Sequence, residues 1–129
     1  MEMKELFLSW GMLILSVIFN VVGVFVVKIK LNELGPVKFD SVKTVVSYFL
    51  LLLRSELVIA GVFLFFVAPF LFAVALSRME ISVAYPVQVA FNFLLLVLLA
   101  VIFLGESLTL TKTMAIVFAL MSMFLLYKK

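Results

Sequence analysis

Four apolar runs, each close to the length needed to cross a membrane, take up most of this chain of 129 residues. They cover about 6–27, 57–76, 83–104 and 113–127, of which the last is slightly short. A spanning helix needs about 20 apolar residues to cross about 30 Å of hydrocarbon. The chain is 67% hydrophobic and 13% charged, which leaves too little polar surface for a soluble protein. The sequence therefore predicts an all-α integral membrane protein that forms a single four-helix transmembrane domain over residues 1–129.

The first connection, 28–56, is the only long one, and it contains a helical pattern of its own. After the turn-forming Gly35 and Pro36, either Asp40 or Ser41 can cap a helix. Polar residues then group on one side, at Lys43, Thr44, Ser47 and Tyr48, while apolar residues recur on the other, at Val42, Val45, Val46, Phe49, Leu50 and Leu53. We expect an amphipathic helix over 40–53 that lies at the membrane surface. The alternative is that these residues begin a longer second span, but Arg54 and Glu56 interrupt the run.

The other two connections, 77–82 and 105–112, are short, which predicts that sequential helices are antiparallel neighbours in an up-and-down bundle. The first apolar run is too long for a cleavable signal and lacks a small-residue cleavage site, so we expect it to be retained. An even number of spans puts both termini on one side. Six basic residues lie in loops one and three, and four lie on the side of loop two and the termini, which favours cytoplasmic loops one and three with external termini. The alternative is that the protein inserts into the membrane in both orientations.

Several classes of chemistry lack the residues that they need. Cysteine and histidine are both absent, which excludes disulfides, thiolate nucleophiles and the usual zinc and copper ligand sets. No glycine-rich phosphate loop occurs, and the serines have no histidine base. The net charge of +3 comes from lysines at the helix ends and does not indicate a nucleic-acid partner. We therefore expect a protein that is not an enzyme and binds neither a metal nor a cofactor.

Neutral polar residues form aligned stripes inside the predicted spans. On the third span they are separated by three, three and four residues, at Ser82, Tyr85, Gln88 and Asn92, which places them on one helix face. A similar line runs along the first span through Ser9, Ser16, Asn20 and Gly23. Each residue could simply hydrogen-bond between helices, but two aligned stripes favour a shared polar groove. The candidate substrate-binding residues are Ser16, Asn20, Tyr85, Gln88 and Asn92. We expect Pro86 to lie in the first helical turn, where a missing amide hydrogen costs little.

Two further features of the spans concern packing and coupling. Ala115, Ala119 and Ser122 follow the spacing that lets helices approach closely, so this face is a candidate contact with a neighbouring helix or with a second copy. All seven acidic residues fall outside the four predicted spans. Because an ionisable residue within a span is the usual marker of proton or cation coupling, the sequence predicts no such coupling.

The segment 75–129 resembles the last two helices of the drug/metabolite transporter superfamily. Its four-helix members have a short loop that leads to an AY pair, here Ala84 and Tyr85, and a G-E-x-L-T turn before the last helix, here 105–109. In the first span, FNVVGVFVVKIK is similar to the first helix of small multidrug resistance transporters. The resemblance covers most of the chain except the segment around the predicted surface helix, and it implies a dimer, commonly an antiparallel one.

Two departures decide which branch the chain is most similar to. The multidrug exporters carry a glutamate in helix one that exchanges protons for cationic drugs, but this chain has Asn20 there, and Gln88 stands where they have tryptophan. Tyr85 and Pro86, with Asn92 and Phe93, instead resemble the paired small subunits proposed to flip undecaprenyl-phosphate-linked aminoarabinose.

That branch implies a flippase or flippase subunit of the inner (plasma) membrane, working on a lipid-linked sugar for lipid A or another envelope glycan. The expected partners are membrane lipid and a second copy or a related small subunit. The alternatives are a small-molecule exporter coupled in some other way, and an accessory subunit of a membrane glycosyltransferase that transports nothing.

Overall fold

The computed structural model describes residues 2–128, and in that range it is entirely helical, with no strand. The five helices are α1 (Met3–Leu34), α2 (Val42–Leu53), α3 (Glu56–Leu76), α4 (Ile81–Phe103) and α5 (Leu110–Lys128). Four of them, α1, α3, α4 and α5, are long and apolar enough to cross a membrane. The predicted all-helical class and the four long apolar helices are thus confirmed, and they are the architecture of a multi-pass membrane protein. Lys129, one of the basic residues near the termini, lies outside the described residues.

The long helices extend beyond the apolar runs, and α1 extends furthest. Its 32 residues correspond to about 48 Å at 1.5 Å per residue, which exceeds the hydrocarbon thickness. The last turns are polar, and Lys30 pairs with Glu33 at 3.2 Å, a spacing that stabilises a helix in water. The helix ends only at Gly35, whose φ of 80° is a left-handed conformation that favours glycine.

Because of these extensions, three of the acidic residues expected outside the spans are helical. They lie near the ends of the helices: Glu5 and Glu33 in α1, and Glu56 as the first residue of α3. The central turns of the four long helices contain no acidic residue.

A separate helix forms in the first connection. Ser41 rather than Asp40 caps it, since the Ser41 side chain accepts a hydrogen bond from the Thr44 amide at 3.2 Å. The helix breaks at Arg54 and Ser55, where Ser55 caps α3, so α2 is not the start of a longer span.

One residue of the polar side of α2 contacts the end of α1. Tyr48, expected on the polar side, is half-buried and donates its hydroxyl to the Gly35 carbonyl at 2.6 Å. Apolar side chains of α2 are exposed at Val42, Val46, Phe49, Leu50, Leu51 and Leu53. The location of α2 at a membrane surface stays a prediction.

The spanning helices alternate in direction, as the short connections predicted, but they do not all pack against their sequence neighbours. Helix α1 lies in the middle and contacts both α3 and α4, whereas α5 packs chiefly on α4. Helices α3 and α4 touch at only a few residues although a short turn joins them. The ring of Trp10 meets that of Tyr127 at 6.2 Å, and Phe25 meets Phe103 at 6.0 Å, which fixes α1 antiparallel to α5 and parallel to α4.

The core is small and joins three helices. It contains Leu13, Val17 and Val21 of α1, Ala75 of α3, and Ala84 and Val87 of α4. Elsewhere large apolar side chains are exposed along α3, α4 and α5, among them Phe63, Phe70, Phe103 and Phe124. Such a surface would aggregate in water, but lipid can cover it.

Helices α1 and α3 approach each other closely where they cross. A Cβ atom added to Gly23 would lie 2.5 Å from the Gly61 carbonyl oxygen, and one added to Gly61 would lie 2.9 Å from the Gly23 carbonyl oxygen. Both positions are buried. Glycine is needed at this crossing because any side chain would force the two backbones apart.

Candidate functional site

The polar stripe of α4 begins at Ser82, the second residue of the helix. We expected Pro86 in the first helical turn, but this prediction was wrong. Because α4 starts at Ile81 rather than at 83, Pro86 is its sixth residue. Proline lacks an amide hydrogen, so the Ser82 carbonyl receives no helical hydrogen bond from position 86. Ser82 itself is exposed, close to the turn that joins α3 and α4.

Tyr85 lies where the stripe meets α3. Its side chain is 56% exposed, and its ring lies 6.5 Å from the ring of Phe72, at 60°. The contact shows that the stripe of α4 faces α3 at Tyr85, and we call the line along which α3 and α4 face each other the α3–α4 seam. Gln88, one turn further along, is half-buried.

Asn92 ends the stripe in the middle of α4. Its Oδ1 atom is buried and has no hydrogen-bond partner among residues 2–128. Leaving a buried acceptor unpaired costs about 1–3 kcal/mol, and such groups are rare enough in folded proteins to need a reason. Among the described residues it is the one buried side-chain polar atom without a hydrogen-bond partner.

The stripe of α1 divides into two kinds of residue. Ser9 and Ser16 are fully buried, and their hydroxyls donate to carbonyls of their own helix, Ser9 to Glu5 at 2.7 Å and Ser16 to Leu13 at 2.6 Å. Both hydroxyls are thus hydrogen-bonded within α1, and the small serine side chains allow close helix packing. Ser16 has no exposed surface, so it does not line a groove in this conformation.

Asn20 is the half-buried amide of α1, and the helical register defines where it faces. At 100° per residue, Asn20 lies between Gly23, which contacts α3, and Val17, which belongs to the core shared with α4. Asn20 therefore borders the same α3–α4 seam that the stripe of α4 faces. The stripes are neutral, and the charged residues of the chain lie toward the helix ends.

The small residues of α5 do not form a tight contact within the chain. Ala115 and Ser122 are exposed and Ala119 is half-buried, and among the described residues of α5 none is buried. At positions 115 and 122, no helix of the same chain covers this face. Contact with a second copy stays a prediction.

A second grouping was not predicted from the sequence. Between the ends of α1 and α4 lies a cleft of about 250 Å³ whose walls are apolar and whose rim carries Lys28, Glu106 and Lys112. The three charges belong to three different segments. A sequence offers only the weak signal that each stands at the end of an apolar run.

When the chain was compared with protein-family models, with curated proteins and with solved structures, none of them matched.

Proposed function

We propose that this protein is a membrane transporter that moves a polyprenyl-phosphate-linked sugar between leaflets, as a lipid flippase or a subunit of one, in support of envelope glycan or lipid A modification. The observation that carries the proposal is the unpaired Oδ1 atom of Asn92 within a neutral polar stripe. A sugar head group carries many hydroxyl donors, and a buried amide oxygen without a partner is the acceptor that such a donor would complete.

The surroundings of the stripe support a head-group path. Because α3 and α4 touch at only a few residues, separating them disrupts few packed side chains. Movement there would uncover Asn92 and extend the exposed surface that begins at Tyr85. Gln88 and Asn20 would supply further neutral partners along the same seam, while the lipid tail stays outside among exposed apolar residues.

Neutral partners suit this cargo better than a cationic drug. No acidic residue occurs in the central turns of the long helices, so proton exchange through an embedded carboxylate is not part of the proposed mechanism. A dimer is included in the proposal because four helices enclose little volume for a head group. The exposed face of Ala115, Ala119 and Ser122 is the surface proposed for the second copy.

Reconstitution tests the proposal directly. The purified protein is placed in liposomes that contain a polyprenyl-phosphate-linked sugar, and a membrane-impermeant reagent reports how much sugar faces outward. We expect the accessible fraction to rise with time above that of empty liposomes. If it does not rise, the matched experiment adds the membrane fraction of the host, and flipping that still fails would favour the accessory-subunit alternative.

A further inference from the structure

We propose that the cleft between α1 and α4 binds a membrane lipid with a phosphate head group, the phosphate at Lys28 and Lys112 and one hydrocarbon chain between the helices. The inference concerns binding and does not depend on transport through the α3–α4 seam. It rests on the shape of the cleft, on the charges at its rim and on the position of that rim at the end of the spanning helices.

The walls of the cleft match a hydrocarbon chain. They consist of aliphatic and aromatic residues from both helices: Val24, Phe25, Leu96, Val97, Ala100, Val101 and Leu104. Ala100 is the smallest side chain among them and helps to keep the space open. Leu98 and Ile102, which alternate along α4 with the lining residues, are exposed apolar side chains, so the surface of α4 at the level of the cleft is suited to lipid rather than water.

The rim matches a phosphate. Lys28 is exposed, and the Lys112 ammonium donates to the Ser107 carbonyl at 3.0 Å, which holds it over the cleft and leaves two of its three protons for a ligand. Together with Glu106 the rim carries a net charge of +1. A phosphate monoester carries about −1.5 to −2 at neutral pH, so it complements the two lysines, and its attraction exceeds the repulsion from the single carboxylate.

The rim also lies at the correct depth. Lys28 follows directly after the apolar run of α1, and Lys112 lies in the first turn of α5. Lysines at such positions extend toward the head-group layer. The lipid phosphate and the two ammonium groups therefore meet at the same level of the bilayer.

The test measures lipid binding to the detergent-solubilised protein by native mass spectrometry. The probes are dioleoyl phosphatidic acid and dioleoylglycerol, which share their chains and differ by the phosphate. We expect the phosphatidic acid to bind more tightly than the dioleoylglycerol. Each Lys→Gln change at Lys28 or Lys112 should weaken its binding about fivefold, and the double variant should weaken it more than tenfold.

Two controls separate this cleft from general attraction and from misfolding. The variant Lys38→Gln/Lys43→Gln removes two charges from the same end of the bundle but outside the cleft, and we expect less than a twofold effect. Ala100→Leu fills the cleft and should also weaken binding, whereas Ala73→Leu, at an exposed position of α3, should not. Circular dichroism melts confirm that each variant is folded.

The variant Glu106→Gln should change the binding of phosphatidic acid in the opposite direction from the lysine variants. Removing the carboxylate from the rim should strengthen the binding of phosphatidic acid two- to fivefold. The inference is overturned if the Lys38/Lys43 pair matters as much as the Lys28/Lys112 pair, if Ala100→Leu leaves binding unchanged in a folded protein, or if dioleoylglycerol binds as tightly as phosphatidic acid.

Discussion

Gly23 of α1 and Gly61 of α3 face each other across a close helix crossing, where a Cβ added to either glycine would lie within 3 Å of the other's carbonyl oxygen. Membrane helices gain little from the hydrophobic effect when they associate, because lipid tails are as apolar as their side chains. Close backbone packing is what remains, and this pair supplies it. The crossing lies in the second half of α1, before Lys28, and it holds α3 against α1 through contacts with α3 alone.

Substituting Gly23 by alanine should destabilise the protein. The new Cβ would lie 2.5 Å from the Gly61 oxygen and 3.0 Å from the Phe65 amide nitrogen, and both atoms belong to backbone that cannot turn aside. Overpacking of this kind costs about 1–3 kcal/mol. We expect a lower melting temperature and a lower midpoint in an SDS titration, followed by circular dichroism.

Gly11→Ala is the matched control for that prediction. It lies on the same helix, and a Cβ there would meet nothing within 4 Å. Its expected effect is neutral or stabilising by up to about 1 kcal/mol, from helix propensity alone. Equal losses of stability in the two variants would contradict the role assigned to the crossing.

The hydroxyl of Tyr48 should fasten α2 to the end of α1. Tyr48→Phe removes the 2.6 Å hydrogen bond to the Gly35 carbonyl, which is worth about 1 kcal/mol. We expect faster amide hydrogen exchange throughout α2 and unchanged exchange in α4. Unchanged exchange in α2 would show that its apolar contacts hold it without this bond.

Spin labels on α2 test its predicted location at the membrane surface. Labels at Val42, Val46 and Phe49 should report contact with lipid, while labels at Lys43 and Ser47 should report water. All five positions are exposed in the isolated chain, so the label does not disturb packing. Uniform burial in lipid at all five would show that α2 lies inside the bilayer.

Asn92→Leu should separate transport from stability. Leucine is of similar size and removes a buried acceptor that has no partner among residues 2–128, so the free energy of unfolding should stay the same or rise by about 1 kcal/mol. Flipping of the lipid-linked sugar in liposomes should nevertheless fall at least tenfold, since the head group loses a partner.

Tyr85→Phe accompanies that variant, because it removes only the exposed hydroxyl at the start of the stripe. Ser16→Ala serves as the control, since the Ser16 hydroxyl bonds within its own helix, and it should flip as the unaltered protein does. Full flipping activity in both Tyr85→Phe and Asn92→Leu would refute the groove and leave the stripe as a structural feature.

Expression in a drug-sensitive host should give no protection against quaternary ammonium compounds. The reason is that Asn20 cannot titrate and the central turns of the long helices hold no carboxylate. Growth is measured over a range of concentrations beside a host with an empty vector. Strong resistance that collapses with a protonophore would contradict the proposed mechanism.

The sequence alone predicted the helical class, because runs of about 20 apolar residues have the length of a spanning helix, which satisfies its backbone within the segment. It also determined the break before α3, where Arg54, Ser55 and Glu56 interrupt the apolar pattern and Ser55 provides a cap. The helix ends were less well defined. The end of α1 was underestimated because Lys28 and Lys30 end the apolar run but not the helix, which continues in polar form to Gly35.

Which helix faces meet could be seen only from the packing of the helices. Ser9, Ser16, Asn20 and Gly23 all follow one helical spacing along α1, yet their surroundings differ. The two serines are fully buried, Gly23 forms the crossing with α3, and Asn20 borders the α3–α4 seam. Periodicity gives the face of a helix but not the helix that covers it, because that choice depends on contacts between distant segments. For the same reason Lys28, Glu106 and Lys112 became neighbours only when α1, α4 and α5 packed together.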